Sequence, residues 1–176
     1  MMNEPFSLDM IVDELAAQDV DFQEGLDWQQ TDHPREAAIA FRRALEHGPK
    51  SAVIWTFYAW ALSASGDPHG AIAACRRAIA CDAEWGQAWN DLGEYLMDAG
   101  REDEALFVIR RALKAKRFDS PHLAQMNLAR YYLHKGSMRR ALAAAQEAQR
   151  LVPGFRPAAR LADWISDRMQ EWNIRD

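Results

Sequence analysis

The chain has 176 residues, 49% of them apolar and 27% charged, with a net charge of −5, an ordinary balance for a globular protein. The negative charge argues against nucleic acid as a partner. No apolar run approaches the roughly 18 residues that a membrane span needs, so no membrane insertion is expected.

The amino-terminal stretch MMNEPFSLDMIVDEL carries acids and no basic segment of a secretory signal. Cys75 and Cys81 lie six residues apart on one predicted helix and fit no metal or redox spacing. Both features suit a reducing, cytoplasmic compartment. Residues 1–6 are expected to be disordered. Ser7 is a candidate N-cap, and Leu8, Ile11, Val12 and Leu15 form one apolar stripe. The stripe predicts a helix over 7–17 that covers the exposed face of whatever follows.

Four similar units come next. The clearest, 86–119, reads GQAWNDLGEYLMDAGREDEALFVIRRALKAKRFD. Trp89, Leu92, Gly93 and Leu96 fall on one helix face. Ala105, Ile109 and Ala112 mark a small-residue face that lets two helices approach closely. One step back, 52–85 repeats the pattern with Trp55, Ala59, Gly66, Ala71, Cys75 and Ala78. Another step back, 18–51 holds Gly25, Ala37, Phe41 and Ala44, with Pro49 near its end. That unit is atypical, because Asp21 replaces the early tryptophan and Trp28 a later tyrosine. Forward, the register slips by two residues at Ser120-Pro121. Unit 122–155 then carries Leu128, Ala129, Tyr132, Gly136, Ala141, Ala145, Ala148 and Pro153. His33-Pro34, Asp67-Pro68 and Ser137 signal the starts of second helices. A last helix, 157–173, places Leu161, Trp164, Ile165, Met169 and Trp172 on one face.

Trp-x-x-Leu-Gly, then a turn glycine, then Ala-x-x-x-Ile-x-x-Ala, recurring at roughly 34 residues, resembles the tetratricopeptide repeat. The resemblance implies an all-α, right-handed solenoid of four helix pairs between two capping helices, forming one domain over 1–176. It also implies that the first helices line a concave groove. The groove positions would be Phe22, Gln23, Leu26 and Gln30 from unit one, and Thr56, Phe57, Trp60 and Ser63 from unit two. Unit three would give Asn90, Asp91, Glu94 and Met97, and unit four Met126, Asn127, Arg130 and His134. Phe57 and Trp60 are bulkier than an exposed face needs. They suggest an apolar anchor site flanked by Asp91 and Glu94, suited to a peptide or amphipathic helix with apolar and basic residues. The cationic clamp by which some family members grip carboxylate tails is missing: its stretch offers Phe22, Leu26, Phe57, Gln87 and Asp91.

Arg42-Arg43, Arg76-Arg77 and Arg110-Arg111 recur on second helices and predict a basic ridge on the convex side. Residues 1–32 hold nine acids and no Lys or Arg, which leaves 21 basic against 17 acidic residues in the remainder. Histidines 33, 47, 69, 122 and 134 are scattered, and no catalytic, metal or cofactor motif is present. The sequence therefore predicts a non-enzymatic protein–protein interaction module, an adaptor, scaffold or chaperone without a cofactor. The alternatives are a secretion-type chaperone sheltering an apolar segment of an exported protein, although such chaperones usually carry three repeats, and a self-assembling scaffold. The latter would set the acidic N-terminus and Trp172 against the basic ridge of another copy, as a homo-oligomer.

Overall fold

The computed structural model of the chain describes residues 7–48 and 51–172. The expectations for residues 1–6 and for Pro49 lie outside the described residues. Helices α1 (Leu8–Gln18) and α2 (Val20–Gln30) are separated by Asp19 alone. They are followed by α3 (Pro34–His47), α4 (Ala52–Ala64), α5 (Pro68–Cys81), α6 (Gly86–Asp98) and α7 (Glu102–Ala112). The last three are α8 (Pro121–His134), α9 (Met138–Leu151) and α10 (Arg156–Glu171). Helices α2 to α9 pack as four consecutive pairs, each on the next, and α10 packs on α9. The architecture is an all-α solenoid.

Each pair closes by the same turn. Asp32, Gly66, Gly100 and Gly136 occupy its left-handed position with φ of 60°, 90°, 72° and 69°. The following residue donates its amide five residues back in every unit: His33 to Trp28, Asp67 to Leu62, Arg101 to Leu96 and Ser137 to Tyr132. Three units use glycine, which adopts this conformation without steric penalty; unit one uses aspartate, one of the few other residues that tolerates it. At the next helix start, Asp67 accepts the Gly70 amide at 2.8 Å, a side-chain N-cap. Ser7, His33 and Ser137 occupy N-cap positions without a side-chain cap hydrogen bond.

The pairs pack through size matching. Gly25 faces the Phe41 ring and Gly93 faces Ile109, so closely that an added Cβ would lie 2.4 Å from each. The same positions in the other units are Ala59 with Cys75 and Ala129 with Ala145, all fully buried. Glycine on the first helix therefore goes with a large residue on the second, and alanine with a small one. Burial pushes the Cys75 thiol pKa well up, which keeps it an unreactive packing group.

Two apolar clusters result. The first joins Phe22, Phe41, Ile54, Phe57 and Trp85 in units one and two. The second runs from Ala59 and Cys75 through Leu96, Ile109 and Leu128 to Ala162. Trp55, Tyr58 and Ile79 touch both. The last helix buries Ala158, Ala162 and Ile165, while Trp164 and Trp172 are 46% and 60% exposed. The expected apolar face is thus narrower than its tryptophans suggested, and Trp164 lies instead under the Arg168 guanidinium at 5.8 Å.

The two-residue slip between units three and four falls in the segment Leu113–Ser120. It does not hang free. Gly86 donates to the Arg117 carbonyl at 2.8 Å and Arg117 donates to the Glu84 carbonyl at 3.0 Å, making a parallel bridge between Trp85 and Arg117. The Glu84 carboxylate accepts the Lys116 amide at 3.1 Å, and the Arg117 guanidinium pairs with Asp82.

Candidate functional site: the concave face

The expected groove residues do not form one open surface. Phe22, Thr56, Phe57, Asn90, Asp91, Met97 and Asn127 are buried. This corrects their assignment as exposed contact positions. The reason is geometric: first helices of successive units lean on one another, and the contact uses the same faces that a single helix would show to the groove. Phe57 is wedged against Phe22 and Phe41, with ring centroids 5.4 and 5.8 Å away. Thr56 accepts the indole N–H of Trp85 at 3.0 Å. Trp85 was not anticipated as a structural pin, because it stands just before a helix and outside the repeating face.

A buried polar ladder crosses three units behind the groove. Trp60 Nε1 donates to Asp91 Oδ2 at 2.6 Å, and Gln87 Nε2 and Asn90 Nδ2 donate to Asp91 Oδ1 at 2.8 and 3.2 Å. Asn127 Nδ2 then donates to Asn90 Oδ1 at 3.1 Å. Burial pushes the Asp91 carboxyl up to about 7, against the opposing effect of these donors, and the nearby Glu94 charge adds to the rise. Asp91 therefore joins units two and three rather than offering charge to a ligand. This corrects the expected pair of flanking carboxylates. Glu94 remains at the surface but lies 3.6 Å from Arg130, which also pairs with Asp98 at 2.8 Å.

What remains accessible is a strip across all four units. Gln23, Gln30 and Leu26 come from α2, Trp60 and Ser63 from α4, Glu94 from α6, and Met126, Arg130 and His134 from α8. Leu26, Trp60 and Met126 are its half-buried apolar members. Beside Leu26, an open cavity of about 400 Å³ is lined by Gln23, Gln30 and Phe57, and by Val12, Asp13 and Ala16 of α1. Helix α1 thus covers unit one, as its apolar stripe implies, and does so from the side of the expected groove residues. Its first amide, of Leu8, reaches Asp119 Oδ2 at 3.2 Å, at the junction of units three and four.

The convex arginines do not form a uniform free ridge. The second arginine of the first and third pairs faces back to its own first helix. Arg43 pairs with Asp21 at 3.0 Å and with Glu24. Arg111 lies over the Trp89 ring at 5.5 Å. Asp21 and Trp89 hold equivalent positions, so unit one replaces a cation–π contact by an ion pair. Among the others, Arg42 lies 3.8 Å from Glu46 and Arg76 3.6 Å from Glu104. Arg110 donates to the Tyr132 hydroxyl at 3.4 Å, and Arg77 is exposed.

Among the described residues, no helix is long and apolar enough to cross a membrane, and no group of three or more His, Cys, Asp or Glu could hold a metal.

The family model for the tetratricopeptide repeat matches residues 22–88 and 90–154. The fold is similar to that of PilF of Pseudomonas aeruginosa, with a TM-score of 0.80 and 23% identity over 92% of this chain and 72% of that one. It is similar to PilW, a type IV pilus biogenesis factor, with a TM-score of 0.75 and 20% identity over 86% and 76% of the two chains. YrrB, a repeat protein with an unusual peptide-binding site, gives a TM-score of 0.67 and 21% identity over 80% and 71%. At these identities the likeness is one of fold. No curated protein matches the chain in sequence.

Proposed function

Since the chain belongs to the tetratricopeptide repeat family, whose members are protein–protein interaction modules, we propose that its concave strip holds a peptide or amphipathic helix of another protein. The observation that carries this reading is the row of Leu26, Trp60 and Met126 left half-buried on three of the four stacked first helices. They are spaced along a floor that the Trp60–Asp91–Asn90–Asn127 ladder fixes. A fixed floor spares a ligand the cost of ordering its own site. The partner is expected to bring apolar anchors with basic residues beside them, because acids dominate the first unit, which frames one end of the strip. The role is that of an adaptor or scaffold without catalysis or a bound cofactor, in the cytoplasm.

The test is site-directed photo-crosslinking in the source cell, with the crosslinking residue at Met126 or at Arg77. A partner captured from Met126 and not from Arg77 is expected. Met126→Lys should then weaken the purified complex by about 2 kcal/mol, roughly thirtyfold, as loss of a central apolar contact does. Capture from Arg77 alone would move the binding surface to the convex side.

A further inference from the structure

Helix α1 occupies one end of the strip, and its seat is poor. Its stripe of Leu8, Ile11, Val12 and Leu15 packs on the cluster of Phe22 and Phe57, yet none of its residues is buried. The cavity of about 400 Å³ beside Val12 and Ala16 remains unfilled. One exposed hydrogen bond, from Leu8 to Asp119, holds its far end. Its near end is tied to α2 through the extended Asp19, whose carboxylate caps α2 by accepting the Phe22 amide at 2.9 Å. Charge also disfavours the contact. Helix α1 carries Asp9, Asp13 and Glu14, and α2 beside it carries Asp27, which accepts from Gln23, and Asp21 and Glu24, which Arg43 of α3 partly offsets, with no Lys or Arg on either helix. Like charges set side by side oppose docking.

We propose that α1 is a tethered competitor for the concave site. The partner would be an amphipathic helix with the same apolar spacing but with Lys or Arg where α1 has acids. Such a helix keeps the i, i+3, i+4, i+7 anchors that the seat accepts and exchanges repulsion from α2 for attraction. It pays for displacing α1, so its apparent affinity is reduced by the fraction of molecules in which α1 is docked. This rests on the concave strip being the binding surface.

The experiment uses the full chain and two fluorescein-labelled peptides. One has the sequence of residues 7–18, and the other carries Asp9→Lys, Asp13→Lys and Glu14→Lys. The basic peptide is expected to bind wild type at least tenfold tighter than the acidic one, less so at high salt. The full-length variant Ile11→Ser with Leu15→Ser, which releases α1, should gain tenfold or more for both. Hydrogen exchange on wild type provides a readout independent of that variant: α1 amides should lose protection when the basic peptide binds. Unchanged α1 protection, or equal affinities for wild type and the released variant, would overturn the competitor role and leave groove binding standing. Peptide binding that survives Leu26→Asp in the released variant would instead overturn the groove itself. A wild-type dimer in light scattering that the peptide leaves intact would make the occupant α1 of a second copy and overturn the partner.

Discussion

Gly25→Ala is expected to cost about 2–3 kcal/mol of folding stability through overpacking, seen as a fall in thermal midpoint of roughly 4–12 °C. The new Cβ would lie 2.4 and 2.5 Å from Phe41 Cε1 and Cδ1. The ring cannot give way, because Phe22 and Phe57 hold it from other sides at 5.6 and 5.8 Å between centroids. Gly93→Ala meets Ile109 Cγ1 at the same 2.4 Å, but a branched aliphatic chain can change rotamer, so the cost should be smaller. Unit two already contains the alternative solution, Ala59 with Cys75. Gly93→Ala combined with Ile109→Cys should therefore cost less than the sum of the two single changes, with a coupling of about 1 kcal/mol in a double-mutant cycle. Additive costs would show that the two positions do not share one contact.

The second large effect is a dependence of stability on pH that Asp91 controls. Its carboxyl titrates at about 7 in the folded protein, against an ordinary value of 3.8. Between these values the folded state holds a proton that the unfolded state has released. Stability from this group is therefore fullest below about pH 4, is lost as pH rises through 7, and is flat above. At 1.4 kcal/mol per pH unit the whole effect is of order 4 kcal/mol. His122 acts with the opposite sign, because burial holds its pKa below 6.5. Wild type is best compared with Asp91→Asn, which carries no charge at any pH. Urea midpoints measured from pH 5 to pH 8 should show the variant gaining on wild type by about 2–3 kcal/mol across that range. Parallel curves would mean that Asp91 is ionised throughout.

The solenoid was legible because its signal is periodic: small residues at close helix contacts and a glycine at three of the four turns recur at fixed intervals, and period alone determines which faces meet within a unit. The size matching of Gly25 with Phe41 and Ala59 with Cys75 was also written there, sixteen residues apart in every unit, as was the exchange of Trp89 for Asp21 opposite a constant arginine. The groove was less legible. Whether Asp91 faces solvent depends on how far α4 leans over α6, and no single-helix projection carries that information. Trp60 was read as a ligand anchor for its bulk, whereas its indole N–H serves Asp91 and only part of the ring is left to the surface. For α1 the apolar stripe established that it packs, but a stripe does not say against what.

The segment added between units three and four has a kinetic consequence. By joining Arg117 to Glu84 and Gly86, it closes α6 and α7 into a ring before any other unit is involved. Elsewhere in a stacked array each unit relies on its neighbours for shape, and growth can begin anywhere. Here a nucleus is favoured in the middle, from which folding spreads toward both ends and toward which fraying stops. In native-state hydrogen exchange the amides of Gly86 and Arg117 should then outlast those of the other interhelix loops. Equal rates along all loops would show that the ring opens with the rest.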